Sequence, residues 1–179
     1  MKKTLLFFLL LTAFIIDAQE KMTSTKGIIV FEASVPLFEP VKAINKEVNV
    51  VLNTERGSIL FVVYIDRFSF ERSLMQEHFN ENYMESNRFP RAVFKGKIEK
   101  FDLKNLNSES NQYQITGKIT IRGRTKKIVI NGTLKKVGKG IELHTVFPLN
   151  TDDFKIDIPF IVRSKISKNV NTQLICVLQ

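Results

Sequence analysis

The sequence predicts an all-β domain of about eight long antiparallel strands, a barrel or a sandwich, with one short helix near residues 73–84. Three observations predict it. Runs of roughly seven to eleven residues rich in Val, Ile, Phe and Thr recur along the chain, separated by Gly, Asn and Pro turn signals. Within several runs apolar and polar residues alternate strictly, which puts one face in a core and the other in water. A single stretch, centred on Leu74 to Tyr83, abandons that period of two for helical spacing.

Residues 27–35 (GIIVFEASV) read as the first strand, closed by Pro36 and Pro40. Residues 41–45 read as a loop or one helical turn. Strands at 48–52 and 58–65 follow. The segment between them, Asn53-Thr54-Glu55-Arg56-Gly57, is short and ends in glycine, a hairpin signal. In residues 73–84 the apolar side chains fall at Leu74, Met75, His78/Phe79 and Tyr83, on one helical face. Ser73 and Gln76 form a weak capping box at its start, and Phe89-Pro90 ends it, since the residue before proline is pushed out of the α region. A lone apolar helix in a β-chain needs something to cover, and the open end or wall of a barrel is the surface that fits.

The later strands carry the cleanest alternation. In the strand from Ala92, Phe94, Gly96 and Ile98 oppose Lys95, Lys97 and Glu99; in 112–122, Tyr113, Ile115, Gly117, Ile119 and Ile121 share one face. Inward glycines in such strands mark bends or a close approach by another group. Gly123-Arg124 turns the chain into a strand at 127–134, and Val137-Gly138-Lys139-Gly140 turns it into another at 141–147. A loop at 150–153 precedes a strand-like run at 154–158 that Pro159 interrupts, and 170–178 is the last strand. No internal repeat, low-complexity tract or linker divides the chain.

Lys2-Lys3, the apolar run from Leu5 to Ile16 and then Asp17-Ala18-Gln19 form the three regions of a secretory signal cleaved after Ala18. That run is too short to span a bilayer, which needs ~20 residues. The expectation is therefore a signal peptide over 1–18, a single domain over 19–179, and a periplasmic or secreted protein. The net charge of +9 favours attraction to anionic surfaces. Cys176, the lone cysteine, permits no intramolecular disulfide, so stability must come from packing.

Catalytic chemistry finds no footing in the sequence. His78 and His144 are distant and lack Cys or clustered carboxylates at ligand spacing, so no metal site is expected. Cys176 lies in a strand, without the helix terminus or cation that activates a thiol. No nucleophile elbow or phosphate-cradling loop occurs, and Glu77 and Glu81 belong to a solvated helix face. No catalytic residue and no cofactor is predicted. Arg122, Arg124, Lys126 and Lys127 straddle a Gly-containing turn, either as a charged hairpin tip or as a patch for an anionic headgroup or envelope surface. Nucleic-acid binding has no motif to support it. What stands out is the aromatic load, 15 Phe and three Tyr without Trp. Much of it falls on inward strand faces or the helix, where it forms core or lines an elongated apolar site.

The ordered set Phe70 to Met75, His78-Phe79, Tyr83, Phe89-Pro90, Phe94-Lys95-Gly96, Tyr113, Gly117 to Gly123, Thr125-Lys126 and Asp153-Phe154 resembles the signature of the YceI-like domain, in the form found in Bacteroidetes-type secreted proteins. The resemblance runs over roughly residues 25–179. It implies a closed up-and-down, lipocalin-like barrel holding a polyisoprenoid or other long-chain amphiphile. The barrel lining expected on that basis comprises Phe61, Phe70, Met75, Phe79, Phe94, Tyr113, Ile115, Ile119, Ile121 and Phe154. The chain departs from the commoner pattern at Pro36-Leu37-Phe38-Glu39-Pro40, where an aromatic residue and a His usually open the domain. It departs again at Arg124, where an aliphatic residue is usual, and at Lys155, where a glycine is usual. A lipid carrier is the first expectation, and a non-catalytic module docking on an envelope partner through Arg122, Arg124 and Lys127 is the second. The oligomeric state stays open, a dimer included.

Overall fold

Alternation becomes architecture through register. In the computed structural model, which describes residues 21–179, the strands are β1 (Lys21–Ser34), β2 (Lys42–Asn53), β3 (Ser58–Tyr64), β4 (Ser69–Phe70), β5 (Arg91–Ile98), β6 (Asn111–Ile121), β7 (Arg124–Val137), β8 (Gly140–Asn150) and β9 (Ile166–Leu178). All neighbours are antiparallel, in the order β1-β9-β8-β7-β6-β5-β3-β2, and β1 pairs again with β2. The sheet closes on itself as an eight-stranded up-and-down barrel. Closure removes the exposed edges an open sheet would present. The two-residue β4 lies alongside β2, with Ala43 opposite Phe70.

Because strands run up and down, alternate connections gather at opposite ends. At one end lie the β2–β3, β5–β6 and β7–β8 connections, and Thr23 exchanges two backbone hydrogen bonds with Gln179. At the other lie the β1–β2 hairpin, the 65–90 segment, the β6–β7 turn and the 151–165 connection. That turn consists of Arg122 (φ 46°) and Gly123 (φ 70°). Two successive left-handed residues are what a two-residue hairpin between right-twisted strands requires.

Three expectations are corrected. Residues 42–45 are strand: Ala43, Ile44 and Asn45 pair with β1, while buried Asn45 donates from Nδ2 to the Tyr64 carbonyl (2.9 Å) and its Oδ1 accepts from the Glu47 amide (2.8 Å). Side-chain bonding lets a polar residue sit inside the wall. Residues 154–158 are not strand; a 3-10 turn at Thr151–Phe154 ends at left-handed Lys155 (φ 54°), and ladder pairing resumes only at Ile166. The helix α1 is shorter than its apolar pattern, spanning Ser73–His78 and passing into a π-turn at Phe79–Tyr83. Its N-cap is extended Arg72 with no side-chain cap bond, so the Ser73/Gln76 box is not formed. The expected signal peptide lies outside the described residues.

Candidate functional site: a half-hollow barrel

The barrel interior has two unlike halves. Toward the end that holds the chain terminus, Val48, Val50, Leu52, Ile98, Ile115, Leu134, Leu143 and Leu178 meet with no exposed surface at all. Toward the other end the inward side chains stop short of one another and leave a cavity of about 400 Å³. That volume falls within the ~300–1,000 Å³ typical of small-ligand pockets.

Its floor is aromatic. Phe61 and Phe94, opposite each other on β3 and β5, stack at 5.2 Å. The Phe94 ring lies over the cross-strand pair Gly96 and Gly117: a Cβ on Gly96 would stand 2.5 Å from the ring edge, and one on Gly117 2.6 Å from its tip. The glycines thus give space to a ring that would otherwise project into the cavity. Ile119 and Ile121 of β6, with Ala33 and Ala92, continue the wall.

The plug segment forms one side. Phe79 packs against Phe31 (5.4 Å), Phe68 (5.5 Å) and Phe70 (5.1 Å), tying helix to barrel through rings worth ~0.5–1.5 kcal/mol per pair beyond their buried area. Met75, His78, Tyr83 and Met84 complete that side. Partial burial pushes the Tyr83 phenol above its ordinary pKa, keeping it neutral. Phe154, a buried residue of the 151–165 connection, forms another part of the wall. Most polar residues on the lining, Glu39, His78, Asn150, Lys165 and Ser167 among them, belong to the connections and strand ends at the mouth; buried Thr172, midway along β9, is the exception.

Eight of the ten residues expected from the sequence line this cavity: Phe61, Phe70, Met75, Phe79, Phe94, Ile119, Ile121 and Phe154. Tyr113 and Ile115 do not. They share the inward face of β6 but lie in the packed half, Tyr113 against Phe101 at 6.3 Å and Ile115 without exposed surface. Sequence reasoning missed Phe31, Val63 and Ile65, although Phe31 alternates with Ile29 and Ala33 in the first strand and could have been found by the same rule.

Two of the four side chains in the basic cluster at the β6–β7 turn are engaged. Arg122 binds the Glu85 carboxylate and the Lys155 carbonyl, and Lys126 pairs with Asp153. Hydrogen bonding from Arg122, aided by Arg88, holds Glu85 below the usual carboxylate pKa range. These contacts pin the plug, the turn and the 151–165 connection together at the rim. Cys176 faces inward in the packed half, where desolvation, and to a lesser extent Glu142, raises its thiol pKa to about 12. Among the described residues no group of three or more His, Cys, Asp or Glu side chains converges at a metal-binding distance. His144 contacts Gln173 at 2.7 Å.

Comparison with known proteins places this geometry. A family profile described as the YceI-like domain matches residues 21–177. Among solved structures, a polyisoprenoid binding domain from Saccharophagus degradans superposes with a TM-score of 0.77 at 11% identity, covering 89% of this chain and 97% of that one. BcnA from Burkholderia cenocepacia gives a TM-score of 0.69 at 16% identity over 85% and 96% of the two chains. A YceI protein from Campylobacter jejuni gives 0.55 at 19% identity over 73% and 80%. No curated protein matches in sequence.

Proposed function

From the premise that the chain belongs to the YceI-like domain family, we propose that it is a non-catalytic carrier of a long-chain amphiphile, a polyisoprenoid or similar lipid, held in the hollow half of the barrel. One observation carries the reading: a cavity of about 400 Å³ walled by Phe, Ile, Ala and Met, with most of its polar side chains gathered at the mouth. Such a site matches a molecule with an apolar tail and a polar end. Each methylene taken from water into it gains ~0.8 kcal/mol. The Saccharophagus degradans neighbour is a polyisoprenoid binding domain, which supports the class of ligand. With the leader read from Lys2 to Ala18, the carrier works in the periplasm or outside the cell.

The test is solvent extraction and native mass spectrometry of the purified protein, followed by titration with farnesol. A copurifying long-chain amphiphile, or saturable farnesol uptake that Ile119→Trp abolishes while the fold persists, is the expected result. Protein that carries no lipid and takes up no farnesol overturns the proposal. N-terminal sequencing of protein from cell fractions tests the export part, with Gln19 as the expected first residue.

A further inference from the structure

We propose that the mouth of the cavity docks on a phospholipid bilayer, with three apolar tips entering the interface; this rests on reading the cavity as a lipid site. Three segments ring the mouth: the β1–β2 hairpin, α1 and the 151–165 connection. Each places apolar residues on the cavity wall, Phe38, Met75 and Val162 among them. Beside each wall residue stands an apolar side chain in water: Leu37 at 103% relative exposure, Leu74 at 59%, and Phe160 and Ile161 at 85% each. Apart from Phe38 at the mouth itself, the other large exposed hydrophobics among the described residues are β-branched side chains on strands, none above 56%.

Isolated exposed apolar residues are ordinary, but several converging on the opening of an apolar cavity mark an interaction site. Leu37 adds a second cost. Its backbone is left-handed at φ 72°, a conformation that glycine or asparagine adopts far more readily than leucine. A leucine that is both strained and fully in water does nothing for this fold in isolation. Its side chain acquires a use when a hydrophobic phase covers it.

The occupant follows from charge and from continuity with the cavity. Arg163 and Lys165 stand two and four residues beyond Ile161, both exposed, and neither forms an ion pair among the described residues; Arg163 donates to the Ile158 carbonyl. Apolar tips with cations just behind them fit a bilayer, whose acyl boundary lies beneath a layer of phosphates. The net charge of +9 draws the protein toward such a surface. Lining and tips are contiguous, so against a bilayer a lipid tail passes from acyl phase to cavity without crossing water. A second copy set mouth to mouth would instead seal both cavities.

The experiment is cosedimentation with vesicles of phosphatidylcholine, alone or mixed with phosphatidylglycerol, beside native mass spectrometry of the same proteins. The full-length protein should bind both and prefer the mixed vesicles. A Leu37→Ser/Phe160→Ser/Ile161→Ser variant should bind at least ~tenfold more weakly, since each change removes interfacial apolar area. It should keep any copurified lipid, because none of the three lines the cavity. Arg163→Glu should weaken the preference for phosphatidylglycerol while leaving binding to phosphatidylcholine alone unchanged. Wild-type protein that ignores both vesicles overturns the docking, as does a triple variant that binds like wild type. So does sedimentation showing that the tips pair two copies. Vesicle binding that survives in Ile119→Trp, with no lipid carried by any variant, leaves docking standing while the carrier reading fails.

Discussion

The packed and hollow halves of the barrel share the same eight strands, the same alternation and comparable hydrophobicity, yet one is solid and the other empty. The difference is one of shape. In the packed half most inward positions hold Val, Leu or Ile, which reach the axis and interlock. In the hollow half the wall includes Ala33 and Ala92, and the large residues are rings, some of which lie against the wall: Phe94 on Gly96 and Gly117, Phe61 stacked on Phe94. A cavity here is made by small residues and flattened rings, not by a shortage of apolar side chains. It is stable because the other half supplies the close-packed core.

β6 spans both halves and so provides the sharpest way to break this contrast. Ile115→Ala removes a side chain with no exposed surface from the packed half and should cost roughly 2–5 kcal/mol in urea unfolding. Ile121→Ala, on the same face of the same strand, removes atoms that already border empty space and should cost only roughly 1–2 kcal/mol. Equal losses would mean that the hollow half collapses in solution.

Gly96→Ala probes the floor. Its Cβ meets the Phe94 ring at 2.5 and 2.6 Å, so the ring must swing into the cavity, at about 1–3 kcal/mol for the forced repacking. Farnesol uptake should fall more than stability does. Unchanged uptake would show that the glycine pair does not set the cavity depth.

A smaller effect is expected at the rim, where Arg122 and Glu85 tie the plug to the β6–β7 turn. The Glu85 pKa is lowered in the folded state, so the unfolded chain takes up its proton first as pH falls. Its stabilisation is therefore present at neutral pH, declines once pH drops below the ordinary carboxylate range, and is lost on passing through the folded pKa. Glu85→Gln should flatten that part of the thermal stability against pH curve by lowering the neutral-pH midpoint slightly, while leaving the midpoint at low pH nearly unmoved. A curve as steep as wild type would assign the acid sensitivity elsewhere.

How legible these halves are in the sequence follows from what alternation encodes. It tells inside from outside, and it puts Phe61, Phe94, Ile119 and Ile121 on the inward face that the family resemblance makes the lining. It carries nothing about depth along the axis, so Tyr113 and Ile115 fall into the same group although they belong to the packed half. Misread elements have local causes. Lys42, Asn45 and Lys46 obscure the start of β2, whose polar Asn45 is satisfied by contacts distant in sequence. Phe154-Lys155-Ile156-Asp157-Ile158 alternates like a strand, but left-handed Lys155 breaks it. The exposed tips beside the mouth carry no periodic signal and emerge only from the closed fold.

The last contrast concerns access by solvent, and Cys176 reports on it with the least perturbation. An ordinary thiol, with a pKa of ~8.5, is alkylated readily by maleimides at mildly alkaline pH because a fraction is thiolate. Cys176 is buried in the packed half with its pKa raised to about 12, so in the folded protein it is both inaccessible and protonated. Its alkylation should therefore follow unfolding, staying far slower than that of an exposed thiol between pH 7 and ~9 and rising steeply only near the urea midpoint. A cysteine introduced at exposed Leu74, on the rim of the hollow half, should react at once in the same protein. Comparable rates at the two positions would mean that the packed half opens as freely as the hollow one, and the division of the barrel into a rigid core and an accessible cavity would no longer hold.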